Sequence, residues 1–259
     1  SDTLNQLLLR DVEGWLPERP SAENLVADGV TSIVTGNCGG SEVKLGEWFA
    51  RLQQSGVGVN VASLIGHNSV RREVMGTENR APTAEELARM EALVAQAMEE
   101  GAVGFSTGLI YVPGTYATTE EVVALARVAA RYGGLYATHM RNEGDKVFEA
   151  IDEAIHIARE ARLPLEISHF KVSNKRFWGV SPQMLERVEQ ARAEGLDVTV
   201  DQYPYTASST SLASRLPSWA LAGGQEALKA RRADPAERKK IADEMYKEIR
   251  EVNGRKHMD

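Results

Sequence analysis

GVTSIVTGNC (residues 29–38), GLYATH (134–139), LPLEISH (163–169) and DVTVDQYPY (197–205) share one design, an apolar run that ends in a polar group. Each run reads as a β-strand, and each is followed by a loop that leads into a segment of helical pattern. Near-continuous apolar runs, as opposed to alternating ones, belong to parallel strands covered on both faces. With two more runs, the strand segments are 29–36, 57–65, 102–106, 134–138, 164–168 and 196–202. The strand–loop–helix unit recurs about every 30–40 residues, the spacing of βα crossovers. Six strands predict either an open doubly wound sheet or part of an eight-stranded (β/α)8 barrel.

The segments between the strands carry helix signals. Thr83-Ala-Glu-Glu86 and Thr118-Thr-Glu-Glu121 read as capping boxes, Ser181-Pro182 as an N-cap before a proline at N1, and Asp234-Pro235 as the same device. A helix over 84–100 aligns Leu87, Met90, Val94, Ala97 and Met98 on one side. Gly101, Gly133 and Gly195 suit the position just past a helix end. From about residue 206 the pattern changes to a polar, small-residue stretch and then a charged helical region over 224–250. The expected organisation is a barrel core over 1–205 and a helical insertion or lid over 206–259.

In a parallel barrel the C-terminal strand ends open onto one face, where catalytic groups collect. Cys38, His139 and His169 would therefore converge there, and a thiolate with two imidazoles is a zinc ligand set. A lone cysteine is ordinarily a small buried hydrophobe, but GNCGG puts this one where a strand gives way to a loop. Arg141 and Lys171, each two residues past a histidine, are candidates for binding a carboxylate or an oxyanion. For Arg141 the competing role is a loop ion pair with Glu143. His67 stands at another strand end and is expected near the mouth, as a group that supports the ligands or binds substrate. His156 lies on the polar side of a helix with Asp152 and Glu160, and His257 is close to a charged terminus.

Composition narrows the function class. The 259 residues are 42% hydrophobic and 26% charged, ordinary for a globular α/β domain. A net charge of −7 gives no reason to expect nucleic acid or an anionic membrane as a partner. No apolar run approaches the ~20 residues that span a bilayer. One cysteine and no visible signal peptide suit a reducing, cytoplasmic compartment.

GVTSIVTGNCG, GHNSVRREVMG, GAVGFSTGLIYVPG, THMRNEGD, EISHFK and DQYPYTASST, in this order, resemble the D-aminoacylase family of N-acyl-D-amino-acid deacylases, within the amidohydrolase superfamily. The resemblance covers nearly all of residues 20–245 and includes LPSWALAGG with the helix that follows it. It implies a (β/α)8 barrel of which this chain holds the second to seventh strands, and hydrolysis of a small-molecule N-acyl-D-amino acid by a Zn²⁺-activated water. It assigns Cys38, His139 and His169 as zinc ligands. Tyr111, Tyr203 and Ser209 correspond to its substrate contacts, and Lys171 matches the basic residue of its sixth-strand motif. The family pattern also has a His-x-His pair on the first strand, and on the eighth an Asp general base and an Arg that grips the substrate carboxylate. This sequence shows none of them, so the resemblance implies a central fragment with impaired turnover. The competing readings are a non-catalytic metal- or ligand-binding remnant and a ring-opening amidohydrolase. The latter usually carries a metal-bridging lysine at the fourth strand, where this chain has Phe105-Ser106-Thr107. A cysteine nucleophile using Cys38 and a histidine is a further alternative.

Overall fold

A computed structural model of the protein describes residues 12–208 and 210–253. Seven parallel strands alternate with helices: β1 (Ser32–Thr35), β2 (Asn60–Ser63), β3 (Ile65–Gly66), β4 (Gly104–Gly108), β5 (Leu135–His139), β6 (Leu165–Ile167) and β7 (Val198–Val200). The helices, from the N-terminal side, are α1 (Val12–Trp15), α2 (Glu23–Ala27), α3 (Leu45–Ser55), α4 (His67–Met75), α5 (Ala84–Glu99), α6 (Thr119–Arg131), α7 (Val147–Ala161) and α8 (Ser181–Ala193). Three more follow β7: α9 (Ser218–Leu221), α10 (Gly224–Ala233) and α11 (Pro235–Asn253). No described helix is long and apolar enough to cross a membrane.

Strand order follows the sequence, β1–β2 in one ladder and β3–β4–β5–β6–β7 in the other, every pair parallel. The expected strand 57–65 is thus two short strands that break at Leu64. Ser63 closes the first ladder opposite Thr35, and Ile65 opens the second opposite Phe105. The ladders are stitched there by Leu64 N–H to Thr35 O (2.9 Å) and Val103 N–H to Ser63 O (2.9 Å). They form one curved array in which β2 and β3 share a position.

The core lies between this array and its helices. Register aligns Phe105, Tyr136, Leu165 and Val198 in one row, all buried with Val122, Leu125, Ile151 and Ala158 of the helices. The next row, Ser106, Ala137, Glu166 and Thr199, faces the other way and is small or polar. All five residues of β4 are buried, as continuous apolar runs lead one to expect. The outer strands differ. Val34 of β1 is 61% exposed and Val200 of β7 is 37% exposed. Among the described residues each of these strands pairs on one side only.

Most helix signals hold. Thr83 and Glu86 form both arms of a capping box, and Asp234 Oδ1 accepts from the N–H groups of Ala236 and Glu237. Gly101, Gly133 and Gly195 each follow a helix end with positive φ. Two signals are corrected. The residue before α8 is Val180, so Ser181 is already helical and makes no cap bond. At Thr118 only half of the expected box exists, since the hydroxyl accepts from Glu121 N–H while the Glu121 carboxylate turns inward. There it meets Arg71 Nη1 at 2.5 Å and His67 Nε2 at 2.9 Å, in a cluster 0–1% exposed. Arg71 also donates through Nη2 to the Arg80 carbonyl at 2.7 Å. The carboxylate thus exchanges the helix end for a buried guanidinium and an imidazole, whose contacts offset the cost of taking its charge out of water.

Glu121→Ala leaves the Arg71 guanidinium buried without a counter-charge. The expected cost is about 3–5 kcal/mol, read as a lowered urea midpoint. A change below about 1 kcal/mol, the range of surface ion pairs, contradicts this account of the cluster.

Candidate metal centre

Cys38 lies three residues past the end of β1, His139 is the last residue of β5, and His169 lies two residues past β6. Their donor atoms all fall within 4.8 Å of one another. Cys38 Sγ stands 3.8 Å from His169 Nε2, and the two imidazole rings meet edge to face with centroids 4.3 Å apart. In a flat sheet β1 and β6, four positions apart, would lie roughly 19 Å from each other. Contact between their ends therefore requires the array to curl. Donors sharing a tetrahedral zinc sit about 3.5 Å apart, so the set matches that ion in type and spacing.

Local bonds hold the loops. Cys38 and His169 both have left-handed backbone, with φ of 54° and 40°. Cys38 N–H donates to Asn37 Oδ1 at 2.8 Å, and His169 N–H donates to Asp201 Oδ1 at 2.5 Å. The residues just before the two donors are themselves joined, Asn37 Nδ2 donating to Ser168 Oγ at 3.1 Å. Ser106 fastens the cysteine loop from below, accepting from Gly39 N–H at 3.0 Å and donating to Gly36 O. At Gly108 a Cβ would stand 2.1 Å from the Cys38 carbonyl, so only glycine lets β4 pass this close.

Glu143 dominates the electrostatics. Its carboxylate, 9% exposed, lies 2.8 Å from Lys171 Nζ, 2.9 Å from His169 Nδ1 and 3.9 Å from His139 Nε2 through the same oxygen. Burial alone would raise its pKa. The hydrogen bond from His169 and the charges of His139, Lys171 and His169 outweigh burial and hold it at about 2. Burial would likewise lower His169, but its bonds to Cys38 and Glu143 bring it to about 9.

The other sequence candidates divide. Lys171 is half-buried beside His169, with its ammonium 5.4 Å from the Tyr203 ring centroid. Tyr111 packs on His139 with centroids 4.9 Å apart, and Tyr203 lies 6.4 Å from His169. Ser209 and His257 lie outside the described residues. Arg141 is engaged elsewhere. It grips Glu153, not Glu143, through Nε and Nη2 and donates to the carbonyls of Thr115 and Ala117. His67 is sealed in the Glu121 cluster and does not join the three donors. His156 is exposed. Sequence reading missed Glu143 as a site residue and missed the Asn37–Ser168 bridge. The one available signal was that Glu143 follows a strand-end histidine by four residues, on the mouth side of β5.

No family model matches the chain. It is 40% identical over 217 residues to an N-acyl-D-glutamate deacylase of Alcaligenes xylosoxydans xylosoxydans, covering 75% of this chain and 44% of that protein. Among solved structures it is similar to a D-aminoacylase described as defining a novel subset of amidohydrolases, with TM-score 0.72 and 35% identity over 76% of this chain and 46% of that one. It is also similar to an N-acyl-D-glutamate deacylase from Bordetella bronchiseptica, complexed with zinc and a phosphonate mimic of the tetrahedral intermediate. That match has TM-score 0.71 and 35% identity, over 74% of this chain and 45% of that one. The chain thus spans less than half the length of these relatives. The likeness assigns the curled array to a barrel of the TIM type.

The Glu143–His169 pair predicts a pH profile for chelator-treated protein. Glu143, lowered from 4.5, adds stability above about pH 4.5 that is lost as pH falls through about 2. His169, raised from 6.5, adds stability below about pH 6.5 that is lost as pH rises through about 9. The urea midpoint should therefore fall between pH 6.5 and 9, and His169→Asn should remove that part of the fall. Parallel profiles for the two proteins contradict the assignment.

Proposed function

We propose that this chain belongs to the D-aminoacylase family of amidohydrolases and serves zinc-dependent hydrolysis of the amide bond of small N-acyl-D-amino acids. The observation that carries the reading is the convergence of Cys38, His139 and His169 within 4.8 Å at the strand ends. We assign these three as the residues that hold the ion. Thiolate and neutral imidazoles suit zinc in softness, and three protein donors leave a fourth position open, the pattern of catalytic sites. Zinc held there would supply Lewis acidity and would activate a water as nucleophile near neutral pH.

The remaining roles fall to the chain's own groups. The Lys171 ammonium, beside the donors and partly exposed, is placed to receive the carboxylate of the substrate. Tyr111 and Tyr203 flank the histidines on two sides and form aromatic walls that exclude water from the amide. Arg141 acts at a distance, fixing the loop that carries Tyr111 through the carbonyls of Thr115 and Ala117. Residues 206–208 and 210–253 are read as a cover over the mouth, supported by the Tyr111 Oη to Thr210 Oγ1 contact of 3.3 Å.

The test pairs metal analysis with a deacylase assay on N-acetyl-D-glutamate and an apolar N-acetyl-D-amino acid. The purified protein should retain close to one zinc, and Cys38→Ala, His139→Ala and His169→Ala should each weaken retention by more than about tenfold. Zinc without turnover favours a binding remnant. Hydrolysis indifferent to chelation and to all three substitutions sinks the zinc reading.

A further inference from the structure

We propose that Glu143 is the positioning residue of the metal centre, fixing the tautomer and orientation of His169. The inference rests on the zinc reading above and adds a residue outside the donor set.

Two contacts at His169 Nδ1 compete. Glu143 Oε1 lies 2.9 Å away and Lys171 Nζ lies 3.1 Å away. An ammonium can only donate and a carboxylate can only accept, so Nδ1 cannot satisfy both. Were Nδ1 to accept from Lys171, its lone pair would face the buried Glu143 oxygen at hydrogen-bond distance, which is repulsive. With the proton on Nδ1 the ring donates to Glu143. Lys171 then donates to the same Glu143 oxygen at 2.8 Å and to the His169 carbonyl at 3.2 Å. That arrangement satisfies every group and leaves the Nε2 lone pair for the ion on the side of Cys38, 3.8 Å away. A carboxylate that fixes a ligand histidine in this way raises the basicity of the ring and orients it. Glu143 is itself held by its place in the fold, since its carbonyl accepts from Ser173 N–H at 2.7 Å and from Ser173 Oγ at 3.0 Å.

A merely structural role for Glu143 would be to neutralise Lys171, and a pair of backgrounds separates the two. Zinc affinity is measured by competition with a chromophoric chelator for the wild type, Glu143→Gln, Lys171→Met and the double variant. If Glu143 positions His169, Glu143→Gln weakens zinc by roughly 10–100-fold in both the wild-type and the Lys171→Met background. Lys171→Met alone keeps the wild-type affinity within about threefold, because its loss leaves the carboxylate on His169. If the charge pair is what matters, Lys171→Met weakens zinc as much as Glu143→Gln does. Glu143→Gln then adds nothing in the Lys171→Met background, and the proposal is overturned. Urea midpoints of all four proteins show whether each variant is folded, and Glu143→Asp serves where Glu143→Gln is not. Wild-type protein that takes up no zinc overturns both this inference and the zinc reading. Normal uptake by every variant overturns the role of Glu143 alone.

Discussion

Everything at this centre depends on the curl of the sheet. Parallel strands twist in one sense, and a helix layer on one face lets the array bend away from it. Large residues fill the helix-facing row of Phe105, Tyr136, Leu165 and Val198, whereas the opposite row of Ser106, Ala137, Glu166 and Thr199 is small or polar. Bulk on one side and little on the other favours a concave inner face. The break at Leu64 serves the same end, since β2 and β3 divide one position between two short ladders. Only then do the ends of β1 and β6 meet and the Asn37–Ser168 bond form across the mouth.

Three carboxylates tie the loops above that mouth, and their surroundings separate structure from chemistry. Glu121 joins α6 to α4 and to the stretch before α5 in a cluster almost wholly shielded from solvent. Glu153 joins α7 to the loops after β4 and β5 through Arg141 and Thr119. Both are paired with groups that stand apart from the three donors. Glu143 shares the burial but not the company. Its partners are two imidazoles of the donor set and an amine open enough to meet a small molecule. A buried carboxylate held ionised beside an ammonium and two ring nitrogens is where functional groups collect.

The sequence makes the architecture legible because strand ends announce themselves. An apolar run that stops at a cysteine or histidine marks both the strand and the direction of its last side chain, and Cys38, His139 and His169 do come together. The side-chain partnerships are not legible. Thr118-Thr-Glu-Glu121 has the same spacing as Thr83-Ala-Glu-Glu86, yet one glutamate caps its helix and the other turns inward. Only the presence of Arg71 and His67, some 50 residues earlier in the chain, makes the difference. Arg141 shows the same limit, its neighbour Glu143 losing to Glu153 one helix away. Local spacing reports what a helix end or strand end prefers. Long-range charge pairing reports which neighbour the fold delivers, and that is decided by topology.

The backbone at the two loop donors carries the last step. Left-handed φ at a residue with a Cβ costs about 1–3 kcal/mol, and a loop under no other demand would place glycine or asparagine there. Cys38 and His169 take that conformation, while His139, inside a regular strand, does not. Each strained residue has its N–H held by a side-chain oxygen, Asn37 for one and Asp201 for the other. Packing gives no reason for the choice, since neither side chain is fully buried. What cysteine and histidine offer over glycine and asparagine is a soft sulfur and a basic ring nitrogen. With one donor on a rigid strand and two on clamped loops, the fold sets the spacing of the three in advance, so an ion held there would meet a prepared site instead of assembling one.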